Sequence, residues 1–321
     1  MYDVRGSEIE DTRTGIPNPD PALAASPPRR LAASQSTRVE SPWAQAARRF
    51  RRHRLAVAGL VVLVILSLMA IFAPVVGQHD PNRGDFRHIN ERPSQQHWLG
   101  TDGNGRDYWS RLVFGARVSL SVGLVATGIA ASIGTVCGAL SGFYGGAVDL
   151  VIQRFTEMVM TFPTLLIIIT LVAYVGPSIY NIMAVLGLLG WTSFCRVVRG
   201  QVLSVREVAF VEAARTIGAR DHTIMFRHIL PNVLPYVVVL ATLNIAGIIL
   251  VEAGLSFLGL GVQVPTASWG NMLQQAQTLD VLVTKPWRWI APGAAIALTV
   301  LSINFVGDGL HDAIDPRSKI N

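Results

Sequence analysis

The sequence predicts an all-α protein with six membrane-spanning helices. Three observations carry that prediction. Half of the 321 residues are hydrophobic. Only 15% are charged, against about a quarter in an ordinary soluble domain. Five long runs contain no Asp, Glu, Lys or Arg: Leu55 to Gln78, Val118 to Val148, Met158 to Cys195, Ile229 to Val251 and Trp289 to Gly307. A spanning helix needs roughly 20 such residues. The Met158 to Cys195 run is long enough for two spans, and Gly176-Pro177 breaks it, so five runs give six spans.

Residues 1–47 are rich in Pro, Ser, Ala and charge, lack apolar periodicity and read as a disordered tail. Arg29-Arg30 has no hydrophobic run close behind it, which makes it a poor export signal. Residues 48–77 hold the first span and its basic flank. Arg48, Arg49, Arg51, Arg52 and Arg54 resist translocation and set this end in the cytoplasm. The apolar stretch is too long for a cleaved leader and reads as an anchor.

Residues 78–113 then form an extracytoplasmic loop. Asp102-Gly-Asn-Gly105 is turn chemistry. Asp107 is placed to cap a helix carrying Tyr108, Trp109, Leu112 and Val113, expected to lie at the lipid interface. Residues 114–312 make a five-helix core, with a cytoplasmic loop at 199–231. Its spans are expected near 118–148, 154–175, 178–198, 233–254 and 289–305. A second interfacial helix is expected near Trp269 to Leu279. Residues 313–321 end in the cytoplasm.

Two features concern the spans. Ala126, Ala130, Gly134, Gly138, Gly142 and Gly146 recur every four residues, a small-residue ribbon that lets helices approach closely in lipid. The partner, in this chain or another, is left open. Glu252 and Asn244 are polar residues within a span, and such groups face a pore or a partner because burying them in lipid is costly. Glu252 reads either as an interfacial acid paired with an arginine or as part of the outer mouth of a translocation path. Asn244 reads as an interhelical hydrogen bond.

Enzymatic constellations are missing from the sequence. There is no G-x-x-x-x-G-K-[ST] loop and no H-E-x-x-H; the only lysines are Lys285 and Lys319. No metal site is expected: the seven histidines are scattered, and Cys137 and Cys195 stand alone inside spans. The net charge of +6 suits topology and anionic headgroups rather than nucleic acid.

The most distinctive stretch is Phe210-Val-Glu-Ala-Ala-Arg-Thr-Ile-Gly218, followed by Arg227-His-Ile-Leu-Pro231. Ser204 and Glu207 have capping-box spacing and predict a helix start. Phe210, Ala213, Ala214 and Ile217 form one apolar stripe. Gly218 suits a helix terminus with positive φ. Asp221 caps a second short helix, which Pro231 ends. This order resembles the EAA loop of bacterial ABC importer permeases, with its Leu230-Pro231 close; the isoleucine of the usual Ile-x-Leu-Pro stands one place along, at Ile229. Leu99-Gly-Thr-Asp102, Gly105-Arg-Asp107, Gly142-Phe-Tyr-Gly-Gly146, Glu252 to Gly261 and Gly307 to Pro316 resemble the C-type subunit of the dipeptide, oligopeptide and nickel importers.

The resemblance implies a type I ABC importer permease fold and alternating-access import of peptides. Nickel chelates, glutathione or another small solute are alternatives. It further implies a second homologous permease subunit, two ATP-binding subunits that hold ATP and magnesium, an extracytoplasmic substrate-binding protein, and a bacterial cytoplasmic membrane around them. This chain itself binds no cofactor and is not an enzyme in that reading. Glu212 would contact the ATPase, Ala213 and Ala214 would permit close approach, and Gly218 would set the bend. An ATP-independent secondary transporter is the rival class, and it would be expected to show inverted repeats and mid-membrane charges.

Overall fold

Asp107 opens a 37-residue helix. Its carboxylate accepts the backbone N–H of Ser110 at 2.7 Å, and α4 runs from there without a break, Tyr108–Tyr144. In the computed structural model residues 42–314 are described. The other elements are α1 Pro42–Arg52, α2 Arg54–Ile71, α3 Ala73–Val76, α5 Gly146–Thr161, α6 Thr164–Val175, α7 Ile179–Arg206, α8 Ala209–Thr216, α9 Asp221–Thr223, a π-turn Ile224–Ile229, α10 Leu230–Phe257, α11 Trp269–Gln275, α12 Leu279–Thr284 and α13 Trp287–Ile314. No strand occurs among the described residues.

Five helices are long and apolar enough to cross a membrane, with α9, the π-turn and α10 counted as one. The bent pair α5–α6 makes six spans if it counts as one. The third span is therefore not the single helix expected at 154–175. It breaks between Thr161 and Thr164 with a bend of 81°. Pro163 lies in that break, and the residue before it, Phe162, is extended at ψ 140, as a residue preceding proline favours.

The α4–α7 contact organises the bundle. A Cβ added to Gly138 would sit 2.5 Å from the carbonyl oxygen of Cys195, and one on Gly142 would sit 2.9 Å from that of Arg199. Gly134 is packed as tightly against Trp191 and Phe194. Ala126 and Ala130 are fully buried on the same face, facing Gly187 and Gly190 of α7. The ribbon's partner thus lies within the chain. Gly146 does not belong to it: a Cβ there would meet nothing within 4 Å, and the residue starts α5 at φ +52. The ribbon ends at Gly142 because α4 stops two residues later.

Positions along α4 and α7 rise together across this contact, so the two helices run parallel. α10 runs the other way, with Asn244 opposite Thr127 and Glu252 opposite Ser119. Gly59 of α2 meets Ser302 of α13, and Gly309 meets Ala56. The ends Arg54, Tyr144, Arg206, Leu230 and Ile314 accordingly gather at one end of the bundle, the foot end. The segments 77–107 and 258–286 gather at the other, the loop end.

The two stretches expected at the lipid interface pack partly into the chain. Tyr108 and Val113 belong to α4, and Tyr108 donates its hydroxyl to the carbonyl of Arg288 at 2.5 Å. Trp269 is buried in α11, its Nε1–H donated to the carbonyl of Leu112 at 3.0 Å. The Ser268–Asn271 capping box sets that short helix against α4 and α10. The expected disordered segment 1–47 lies outside the described residues up to 41, and from Pro42 the chain is already helical in α1. The expected tail 313–321 lies outside them from 315, and α13 continues to Ile314.

Replacing Gly138 with Leu forces side chain into backbone. It is expected to cost at least the 1–3 kcal/mol, roughly, of an overpacked core. Gly128→Ala, at a position inside α4 with nothing within 4 Å of a Cβ, is expected to cost nothing and to add up to about 1 kcal/mol of stability. Thermal unfolding of the two purified variants checks this.

Candidate coupling site

α7 does not end where its sequence suggests. Ser204 and Glu207 have capping-box spacing, yet α7 is already helical upstream and simply continues to Arg206, with Glu207 as its C-cap. α8 begins after a two-residue corner, with Val208 as N-cap and no side-chain cap. Arg206 turns back and donates Nη1–H to the carbonyls of Gly142 and Phe143, both at 3.2 Å. This pairs the orphan carbonyls of α4's last turn.

The expected apolar stripe splits into two faces. Val211 and Ala214 are buried in one cluster with Phe143 of α4, Val202 of α7, and Ile224, Ile229 and Val233. Phe210, Ala213 and Ile217 form a separate, exposed row; Ile217 is 84% exposed. Ala214 therefore belongs to the chain's own core rather than to an outward surface. Val211, absent from the sequence-derived set, is the inner anchor. Glu212 is exposed beside the outer row. Arg215 lies with its guanidinium 5.7 Å from the centre of the Phe143 ring, a cation–π contact from α8 to α4.

Gly218 closes α8 as expected. At φ +79 it lets Ala219 N–H reach the carbonyl of Ala214 (3.0 Å) while its own N–H reaches that of Arg215 (2.9 Å). These two bonds are a Schellman motif. Ala219 then packs on the same cluster that holds Ala214.

The second short helix is not ended by Pro231. Asp221 starts α9, but the chain passes through the π-turn directly into α10, with Leu230 and Pro231 in the latter's first turn. Proline lacks an N–H and its ring crowds the carbonyl four residues back. The wider turn absorbs this, and Leu230 N–H bonds to the carbonyl of Met225, five residues back. Foot and span are thus one continuous helical rod.

One ion pair near this end was not expected from the sequence. Arg199 of α7 holds Asp149 of α5 with two bonds of 2.6 Å, and Ser141 of α4 donates to the same carboxylate at 2.5 Å. The pair ties the start of the bent span to both parallel helices. Its members are 50 residues apart, which is why no local spacing signals it.

Glu252 is held by hydroxyls rather than by the arginine expected in one of its two readings. Its residue is 0% exposed, and its carboxylate accepts from Ser119 at 3.1 Å and Ser256 at 2.7 Å. Among the described residues no arginine pairs with it, and α11 packs close beside this stretch of α10: a Cβ on Gly270 would meet Ala253 at 2.7 Å. Asn244 accepts the Thr127 hydroxyl at 3.1 Å, the interhelical bond expected.

Comparison with known proteins places these features in context. The family described as binding-protein-dependent transport system inner membrane component matches residues 134–320. The N-terminal TM domain of oligopeptide transport permease C matches residues 41–93. The chain is 40% identical over 279 residues to the dipeptide transport system permease protein of Alkalihalophilus pseudofirmus, covering 87% of this chain and 91% of that one. It is 39% identical over 279 residues to the oligopeptide transport system permease protein of Bacillus subtilis, with the same coverage. It is 42% identical over 282 residues to the glutathione transport system permease protein of an Escherichia coli strain, covering 88% and 92%.

Two substitutions test the local geometry. Gly218→Val is expected to strain the αL position by about 1–2 kcal/mol or more and to abolish exchange protection at the amides of 218 and 219; Gly218→Asn is expected to retain it. Hydrogen exchange reads both. Glu252→Gln is expected to keep its serine partners. Glu252→Ala is expected to cost about 1–3 kcal/mol for each hydroxyl left unpaired, seen as a lowered unfolding temperature.

Proposed function

Since the chain belongs to the family of inner-membrane components of binding-protein-dependent transport systems, we propose that it is the permease subunit of an ATP-driven importer of peptides and that α8 is where the motor pushes. The observation that carries this reading is the two-sided burial of α8. Its outer row, Phe210, Ala213 and Ile217 with Glu212 alongside, is free to seat in a groove on an ATPase. Its inner residues, Val211 and Ala214, share one packed cluster with α4, α7 and α10.

A displacement of α8 cannot be absorbed locally. Close-packed interiors are low in compressibility and transmit strain. Gly218 fixes α8 against Ala219, and the rod from Asp221 to Phe257 carries movement from the foot to the loop end. The bent α5–α6 pair and the lipid-exposed side of α10 are the parts left to rearrange.

In this reading the foot end faces the cytoplasm, together with the basic residues of α1 and both chain termini. The loop end then faces outward, toward a substrate-binding protein. A second, homologous permease would complete the path, and two ATP-binding subunits would hold ATP and magnesium. Peptides fit the dipeptide and oligopeptide relatives. The glutathione relative supports a short, modified peptide as a second cargo through the same route.

The decisive measurement is uptake of labelled di- and oligopeptides into vesicles holding the full complex. Uptake is expected only with ATP and the binding protein. The double substitution Phe210→Asp/Ile217→Asp alters exposed residues alone. It is expected to leave the bundle's unfolding temperature in place while reducing ATPase copurification and uptake by about tenfold or more, as loss of central apolar anchors does.

A further inference from the structure

The loop end holds a cluster of donors that no sequence motif announces. His79, His97 and Asp107 each present a ligand atom, and these atoms lie within 4.8 Å of one another. His97 Nδ1 is 2.8 Å from Asp107 Oδ1, and His79 Nδ1 is 3.8 Å from the same oxygen. The two imidazole rings lie 4.9 Å apart, tilted by 37°.

The carboxylate is already oriented for a ligand. Asp107 Oδ2 accepts both the backbone N–H and the hydroxyl of Ser110, at 2.7 and 2.6 Å. That capping role fixes the group and leaves Oδ1 turned toward both histidines. The Ser110 hydroxyl also accepts the backbone N–H of His79 at 3.1 Å, which places that residue over the cap. His97 is held by its own turn: Ser94 and Gly100 donate N–H to its carbonyl, each at 2.8 Å. These bonds fix the carboxylate and the backbone of both histidines beside it.

We propose that His79, His97 and Asp107 bind a divalent transition cation of the zinc class. Donor chemistry selects the class. Two imidazoles and one carboxylate suit zinc and its neighbours, whereas calcium and magnesium take all-oxygen sets. Donors around a tetrahedral ion with bonds of about 2.0 Å stand about 3.3 Å apart, and the two distances to Oδ1 bracket that value. The three residues line a cavity of about 650 Å³ that also meets Asp85 and His88, so a hydrated ion has access and the fourth position takes water. His88 is engaged with Glu91 at 2.5 Å and is not counted as a ligand. The ion would join the exit of the first span, at His79, to the cap of α4, pinning the intervening loop.

The test uses the full-length chain, purified with its copurifying partners through a histidine-free tag, stripped with chelator and dialysed against buffered zinc. The wild type is expected to retain one zinc per chain more than His79→Ala/His97→Ala, measured by elemental analysis. His79→Ala alone, at a half-exposed ring, is expected to weaken binding by about tenfold or more. His222→Ala, at the foot end, is expected to change nothing. Cobalt in place of zinc is expected to give tetrahedral absorption bands in the wild type only. Hydrogen exchange on the unmodified chain is expected to slow across 79–100 when zinc is added. Equal zinc content in wild type and double variant, or unchanged exchange with zinc, would overturn the proposal and leave His97–Asp107 as an ordinary cap-side ion pair.

Discussion

The closeness of α4 and α7 is the constraint on which the architecture rests. Lipid tails are as apolar as leucine, so helices in a bilayer gain little by hiding from solvent and must gain by contact. Gly134, Gly138 and Gly142 provide contact by bringing backbone against backbone. Because the two helices run parallel, the chain must come back across the bundle between them. The intervening span, α5–α6, does so in two pieces joined at an 81° corner. It is pinned at one end by Asp149 against Arg199. Everything at the foot end, including the point from which α8 departs, follows from where these two parallel helices stop.

The two ends of the bundle are built from different physics. The loop end is held by polar contacts: Arg106 and Asp102 pair at 2.7 Å, Glu252 sits among serines, and Trp269 is anchored by its indole N–H. The foot end is an apolar cluster with a thin charged rim. Buried polar networks are directional, and low dielectric raises the penalty for disturbing them. An apolar cluster is less directional and tolerates small rotations.

The sequence was legible where one residue type decides the outcome. Uncharged runs located the spans, since charge in lipid is costly. The fourfold spacing of small residues located the packing ridge, and Gly218 located the helix stop. It was illegible where tertiary context decides. Ser204 has the chemistry of a cap, but a helix already formed upstream propagates through it. Around α8 the apolar residues sit on more than one side, so the stripe through Phe210 and Ile217 could not be told from the buried pair Val211 and Ala214 until α10 was placed beneath. Glu252 finds Ser119 from 133 residues away, and His79, His97 and Asp107 converge from separations of 18 and 10. Such pairs leave no local pattern.

The π-turn at Ile224–Ile229 carries one residue more than an α-helical turn would use. An α-helix rotates by about 100° per residue. The wider i→i−5 turn takes up that residue within itself; wound as regular α-helix with the same residue count, everything upstream would swing by about that angle about the axis of α10. The azimuth at which α8 stands to α10 therefore rests on the match between a count of residues and the width of one turn rather than on any side chain.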